Sequence, residues 1–466
     1  MRPLRAVLLL VALAPASGCL LGPSYSRRPI EKPESWIEPV PSGVAADAAT
    51  GFALFDDPVL DQLIATAFER NLDLAAAWWR IEEARAQLGI ARASSLPSFG
   101  YSAGAIRAEP SELVQPSAGT VEDYSAALDV AWEIDLFGRL RRSTEAARAE
   151  LLATEAGRRA LALALAADVA ATYFTLHALD DQVAIAERTL AGRRASTALI
   201  RSRFQGGVAS ELELRQAEIE EATAEAAVPS LERSRARAEH ALRVLLAEIP
   251  GPVPRGAPLA ERALPPDVPA GIPSELLERR PDVVAAEELL HAATARIGVA
   301  EALRWPSLSL TGAVGVESRA LSDLNSGDAS FSNLAANLVG PLFEFGKNRR
   351  RVEAARAGAE QAALAWQQAA LVAFQEVEDT LVDLRTARLE QAARERQAAS
   401  AGAAVRLSRA RWDGGVTSYL EVLDLERSQF SSELAESSAR EATFNSLVRL
   451  LKALGGGWES PAPPAR

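Results

Sequence analysis

Cysteine, methionine and histidine are nearly absent from this 466-residue chain: one Cys, one Met and three His. His177, His240 and His291 are far apart, so no disulfide framework and no Cys/His zinc site can be assembled. No clustered catalytic constellation takes their place, and acid pairs such as Asp180-Asp181 read as helix surface. Positive charge is short as well. Lys plus Arg number 50 against 62 for Asp plus Glu, a net charge of −12. That balance argues against a nucleic-acid partner, because phosphate binding needs clustered cations. What remains is 48% hydrophobic and 24% charged, neither a disordered tail nor a bundle of membrane-spanning helices.

The N-terminus reads as a secretory signal over residues 1–18. Arg2 and Arg5 precede an apolar run, Val7 to Leu13, that is too short to cross a bilayer as a helix. Ala16, Ser17 and Gly18 then lead directly to Cys19. Ala-Ser-Gly-Cys resembles a bacterial lipobox, with Ala16 where Leu is commoner, so Cys19 is expected to carry a covalent lipid. Leu20 after it matches sorting to the outer membrane. Cleavage removes Arg2 and Arg5 and takes the net charge to −14.

The chain is duplicated. Leu136-Phe137-Gly138-Arg139 is echoed by Glu344-Phe345-Gly346-Lys347, and Glu145-Ala146-Ala147-Arg148-Ala149 recurs at 353–357. Arg203-Phe204-Gln205-Gly206-Gly207-Val208 recurs as Arg411-Trp412-Asp413-Gly414-Gly415-Val416. These pairs are all offset by 208; Pro97-Ser98 and Pro306-Ser307, like Gly89 and Gly298, are offset by 209. Matches in one order at one spacing mark two copies of a single design.

Each copy reads in the same order. A helix (Leu60 to Ala93; Ser274 to Trp305) is ended by Pro97 or Pro306. Two strands follow, with polar loops near 108–122 and 318–329 between them. Leu128, Val130, Trp132, Ile134 and Leu136 alternate with polar residues, as do Leu308, Leu310, Val314 and Val316. The first and last strands alternate more weakly through Phe99, Tyr101, Leu334 and Leu338. A very long helical stretch then runs to a Gly-Gly turn, about 100 Å at 1.5 Å per residue, and a return helix follows (Ser210 to Leu246, with a kink expected at Pro229; Ser418 to Leu454). The implied divisions are a signal peptide 1–18, a lipidated extended segment 19–59, a first repeat 60–248, a linker 249–272, a second repeat 273–455 and a tail 456–466. Strands are expected near 96–107, 124–137, 306–317 and 330–343, and turns at 205–209 and 413–417.

Four strands of about ten residues, apolar on one face, have the length and patterning of transmembrane β-strands. Four cannot close, and an open edge cannot stand in lipid, so several copies must share one barrel; three would give twelve strands. Phe137, Trp305 and Phe345 at the strand ends suit an interfacial aromatic girdle. A soluble sheet packed on helices is the alternative. Long helices leaving one rim would continue the barrel as a tube, and sustained Ala, as in Ala160 to Ala171, permits close helix packing.

Several stretches carry a family resemblance: Cys19 with Gly22-Pro23-Ser24-Tyr25, Trp132 to Arg139, Ile272 to Asp282, and Ala295-Arg296-Ile297-Gly298-Val299-Ala300. Over essentially the whole mature chain the sequence resembles the TolC/OprM class of outer-membrane efflux channels, in its NodT-like lipoprotein branch; Ser24 stands where that class usually has Asp. The resemblance implies a mainly α fold with a small β part: long helical hairpins forming a periplasmic tunnel, and four transmembrane strands per protomer of a homotrimer. It implies a passive conduit without enzymatic activity or cofactor, lipid-anchored in the outer membrane and extending into the periplasm. Drugs or other small toxic compounds would reach it through a periplasmic adaptor and an inner-membrane pump of RND type.

Two groups of residues are singled out. At the turns, Gly206, Gly207, Gly414 and Gly415 suit chain reversal at positive φ. Arg203, Phe204, Val208, Arg411, Trp412 and Val416 beside them have the chemistry of a contact hot spot, and the resemblance makes these tips the adaptor-docking end. Past the second turn, Glu421 and Asp424 are three apart and share a helix face. The resemblance places them at the constricted tunnel mouth as gate carboxylates, with Glu213 as the repeat-related position and Arg partners on neighbouring helices left unassigned. Two other classes stay open: a periplasmic adaptor lipoprotein, which should carry one hairpin beside lipoyl-like domains, and an Ala-rich coiled-coil scaffold or enzyme.

Overall fold

The computed structural model describes residues 19–39, 52, 54–109, 111, 113, 119–264, 268, 270–271 and 273–456. The expected signal peptide, 1–18, and the residues beyond 456 lie outside the described residues. The elements, in chain order, are α1 (Pro58–Arg70), α2 (Leu72–Ala93), β1 (Ser98–Ala108), β2 (Val121–Ile134), α3 (Arg139–Gln205), α4 (Glu211–Leu245), α5 (Pro273–Arg279), α6 (Pro281–Ala302), β3 (Ser307–Ser318), β4 (Ser330–Val339), α7 (Lys347–Asp413) and α8 (Tyr419–Ala453). The fold class is the one expected: mainly α, with a small β part and an internal duplication. The long helices α3 and α7 both have 67 residues, and the return helices α4 and α8 both have 35. The chain divides into two compact units.

Among the described residues, the first unit comprises those of 19–30, 80–155 and 285–367 and holds the sheet. Its strands run in the order β1-β2-β3-β4, all neighbours antiparallel. The register sorts side chains cleanly, because successive residues alternate between faces. Phe99, Tyr101, Leu128, Val130, Trp132, Ile134, Leu308, Leu310, Val314, Leu334 and Leu338 fall on one face. Ser98, Ser102, Asp129, Glu133, Ser309, Thr311, Asn333 and Asn337 fall on the other. The apolar face is open: Phe99 is 82% exposed and Tyr101 87%. Pro97 and Pro341, which lack a ladder N–H, bracket the outer strands, so β4 stops at Val339 rather than reaching 343.

An extended N-terminal strap lies on this unit. Arg142, only 2% exposed, donates from Nε to the Leu21 carbonyl and from Nη2 to that of Gly22, both at 3.0 Å. Gly22, at φ +83°, touches Gly298 so closely that a Cβ would lie 2.4 Å from the Gly298 Cα; two glycines are required there. Tyr25 stacks on His291 at 4.7 Å, and Arg27 and Arg28 pair with Glu287 and Glu360. Cys19 is exposed at the head of the strap.

The second unit comprises the described residues of 31–79, 156–284 and 368–456. Its core is aromatic and alanine-rich: Phe55, Tyr173, Phe174 and Phe444 are buried with Ala166, Ala170 and Ala178. The apolar window of α3 is long enough to cross a membrane, but 61% of it is buried within the protein, and it belongs to this core. The helix expected over 60–93 is two helices, because Asn71 interrupts it. Its Oδ1 accepts from the amides of Asp73 and Leu74 at 3.0 Å, capping α2, while Nδ2 donates to the Leu245 carbonyl at 3.0 Å. The second half repeats the device with Arg280, which separates α5 from α6 and donates to the Ala453 carbonyl at 3.3 Å. Helix α4 continues through Pro229 without ending at the expected kink.

Linker residues 253–262 cross the same unit on a polar network. Arg255 pairs with Asp180 and Glu239, Arg262 pairs with Asp57, and the Gly256 amide donates to the Tyr173 hydroxyl at 3.1 Å. His177, 3% exposed with its Nε2 unpaired, lies against the Tyr173 ring. Burial, aided by the Arg262 charge and opposed by Asp180 and Asp57, pushes His177 down from 6.5 to about 4. A folded-state value below the unfolded one means the unfolded chain takes the proton first, so this contribution is complete above pH 6.5 and is lost as pH falls towards 4. Urea titrations should therefore show wild type losing stability relative to His177→Asn across that window; parallel curves would refute the assignment.

Candidate functional site: the paired hairpin tips

The two turns are built identically. In the first, the Val208 amide donates to the Arg203 carbonyl at 2.8 Å and the Gly207 amide to that of Phe204 at 2.9 Å; in the second, Val416 donates to Arg411 at 2.8 Å and Gly415 to Trp412 at 2.9 Å. These are the paired bonds of a Schellman ending, which needs a left-handed residue just past the helix. Gly207 (φ +75°) and Gly415 (φ +72°) supply it. Ser210 then starts α4 through a capping box: its Oγ accepts from the Glu213 amide, and the Glu213 carboxylate accepts from the Ser210 amide at 2.7 Å. Ser418 starts α8 without a side-chain cap bond, and Glu421 instead accepts from the Thr417 hydroxyl.

The tips pack on each other. Ile200, Leu214 and Ala217 of the first hairpin form one buried cluster with Tyr419, Val422 and Leu423 of the second, with Trp412 packed against it. Burial pushes the Tyr419 hydroxyl up to about 12. The Arg203 guanidinium lies 4.8 Å from the centre of the Trp412 ring, a cation–π contact. Arg203 and Trp412 therefore spend part of their surface joining the hairpins. Phe204, Val208, Arg411 and Val416 face outward, Val208 and Val416 each 70% exposed.

Charge is organised one to three turns above the tips. Arg201 pairs with Glu218 at 3.1 Å and Arg409 with Glu426 at 2.6 Å. Both partners are offset by 208, so one long-to-return-helix bridge is used twice. The Arg201 hydrogen bond, with a second from Arg215, holds the Glu218 carboxyl below its usual range. Glu220 breaks the symmetry. It is 5% exposed and is gripped by Arg193 of α3, itself 5% exposed, and by Arg427 of α8, which also holds Asp424 at 2.9 Å. The repeat-related positions of Arg193 and Glu220 are Ala401 and Ser428, so this buried lock exists once per chain.

Of the residues read from sequence, Glu421 and Asp424 lie together on the exposed side of α8. Glu213 caps its own helix rather than joining them. Arg193, Glu220, Arg409, Glu426 and Arg427 were not singled out. The Arg409–Glu426 and Arg201–Glu218 pairs had a signal, their common offset; Glu220 had none, because burial of one acid among many leaves no trace in composition.

Residues 63–248 and 272–456 match the outer membrane efflux protein family. The chain is 36% identical over 458 residues to the toluene efflux pump outer membrane protein TtgI of Pseudomonas putida, covering 96% of this chain and 97% of that one. It is 34% identical over 463 residues to outer membrane protein OprJ of Pseudomonas aeruginosa, covering 97% and 95%. The open-state crystal structure of the Neisseria gonorrhoeae MtrE outer membrane channel superposes with a TM-score of 0.86 at 32% identity, over 94% of this chain and 98% of that one.

Removing Glu220 strands a buried guanidinium, at a cost of about 3–5 kcal/mol. Hydrogen exchange over 193–220 should accelerate strongly in Glu220→Ala and recover in Arg193→Met/Glu220→Met, where an apolar pair replaces the ionic one. Unchanged exchange in the single variant would show that the lock stabilises nothing.

Proposed function

The chain belongs to the outer membrane efflux protein family, and from that premise we propose how its open sheet and paired hairpins operate. It is the outer-membrane channel component of a tripartite efflux system, seated in the outer membrane and reaching into the periplasm. It is a conduit and makes or breaks no bonds. One observation carries the assembly proposed here: a four-stranded sheet with a continuous apolar face and two unpaired outer strands. Lipid satisfies the face but not the edges, so the sheet must be closed by other copies. Three copies make a twelve-stranded barrel, the homotrimer we adopt. Cys19, exposed at the head of the strap, is the proposed lipid attachment site.

The helical hairpins would continue the conduit into the periplasm, and their tips would be the docking end for a periplasmic adaptor coupled to an inner-membrane pump of RND type. Arg411, Phe204, Val208 and Val416 offer the exposed contact chemistry there. Glu421 and Asp424, repeated around a three-fold axis, would ring the mouth with carboxylates, attracting cations and repelling one another. Arg427 is the latch partner: by holding Asp424 and Glu220 together it ties the exposed acid to the buried lock. Opening would swing α7–α8 away from α3–α4 at this latch. The cargo is a small toxic compound, of the class to which toluene, in the name of TtgI, belongs.

Two experiments test this reading. Charge reversal, Arg203→Glu or Arg411→Glu, should abolish efflux while trimers remain in the membrane; normal efflux would remove both residues from the docking surface. In planar bilayers, Glu421→Ala/Asp424→Ala should raise the small closed-state current and lower its cation preference. An unchanged current would exclude them from the gate.

A further inference from the structure

Charge is sorted between the two ends of the sheet. The rim where the helices join (92–97, 135–142, 303–306 and 340–351) carries nine Lys or Arg and two acids. The loops at the opposite rim (108–122 and 318–329) carry five acids and one Arg. Duplication shows which of the nine cations are satisfied within the chain. In the first copy Arg139 pairs with Glu133 at 2.7 Å and Arg141 with Asp135 at 3.3 Å. Arg142, which grips the strap, also pairs with Glu145 at 2.8 Å.

The second copy keeps the cations and drops the acids. Lys347, Arg349 and Arg350 stand 208 residues after Arg139, Arg141 and Arg142, and Arg351 is added; the positions of Glu133 and Asp135 are taken by Pro341 and Phe343. Glu353, the duplicate of Glu145, serves both Arg349 (3.0 Å) and Arg350 (2.6 Å), and each of these guanidinium side chains is 79% exposed. Glu344 accepts from Asn348 instead. The apolar replacements do not turn inward. Leu342, Phe343 and Phe345 are all exposed, and the two rings meet only each other, edge-on at 4.6 Å. In the first copy Phe137, the counterpart of Phe345, stacks on Trp305 at 5.2 Å.

Uncovered rings followed directly by under-partnered cations, at the foot of an apolar face, have the chemistry of a membrane–water interface. Aromatic rings settle there at headgroup level, and Lys and Arg are drawn to anionic lipid. We infer that Leu342 to Arg351 is a binding surface for anionic phospholipid, with Phe343 and Phe345 seated in the headgroup boundary and Lys347, Arg349 and Arg350 holding the lipid phosphate. This rests on the reading of the sheet as the lipid-facing wall, and adds a lipid class and the leaflet it comes from, the one on the helical side. The acidic loops repel the same lipid at the other rim. The first copy offers no second site, because its cations are spent on Glu133, Asp135, Glu145 and the strap.

The test titrates the purified full-length protein, in non-ionic detergent, with phosphatidylglycerol or with phosphatidylethanolamine of the same chains, and counts bound lipids by native mass spectrometry. Wild type should prefer phosphatidylglycerol. Arg349→Gln/Arg350→Gln should cut that preference about thirtyfold, whereas Arg349→Lys/Arg350→Lys should keep it. Glu353→Gln, which frees both guanidiniums, should strengthen it, and raised salt should weaken it. Equal retention of the two lipids by wild type would overturn the inference and leave the lipid-facing wall standing. So would displacement of phosphatidylglycerol by an equal concentration of inorganic phosphate, or a Gln variant that loses its sister chains rather than its lipid. If wild type retains neither lipid and stays soluble without detergent, the lipid-facing reading falls as well.

Discussion

Unpaired backbone at the edges of a greasy sheet is the constraint on which the rest of this protein depends. A β-strand in hydrocarbon must find a hydrogen-bond partner for every N–H and C=O on both sides, each failure costing several kcal/mol. The apolar face of this sheet, with Phe99, Tyr101, Leu334 and Leu338 largely exposed, has no cover within the described residues, and water is a poor solvent for it. Lipid outside and sister strands at both edges satisfy the two demands together. Duplication makes this economical: one chain brings two hairpins, so in the proposed trimer three chains would close a ring of six.

The same duplication explains why the departures from it are informative. Asn71 and Arg280 perform one task with different chemistry, each interrupting a helix and bracing the end of a return helix, at Leu245 and Ala453. The Arg201–Glu218 and Arg409–Glu426 bridges are a faithful repeat. The strap and the Glu220 lock are not repeated. A wall of identical hairpins would have no reason to open at one joint before another. In the opening proposed above, a buried ion triad present at one joint and missing from its counterpart would create that preference, since a buried pair is costly to break one partner at a time.

Much of the architecture was legible because it rests on local rules with long reach. Alternation gave every strand end to within four residues, prolines marked their ends, and Gly-Gly with Arg and an aromatic marked both turns. The breaks at Asn71 and Arg280 were missed because neither residue forbids a helix; only the tertiary contacts with Leu245 and Ala453 make the break worthwhile. Glu213 was grouped with the gate acids on repeat position alone, whereas Ser210 three residues earlier is the capping-box signature that claims it. That Arg193 and Arg427 converge on Glu220 could not be named from sequence, since arginines are frequent on all four hairpin helices and only the fold selects these two. Arg427, three residues after Asp424, had a same-helix signal that was not singled out.

The claim beneath the whole account is that one copy cannot seal its own pore wall. Native mass spectrometry of the purified, detergent-solubilised protein measures this most directly. Particles of three chains, stable until the detergent is stripped, are the predicted result. A monodisperse single chain that stays soluble without detergent would contradict it.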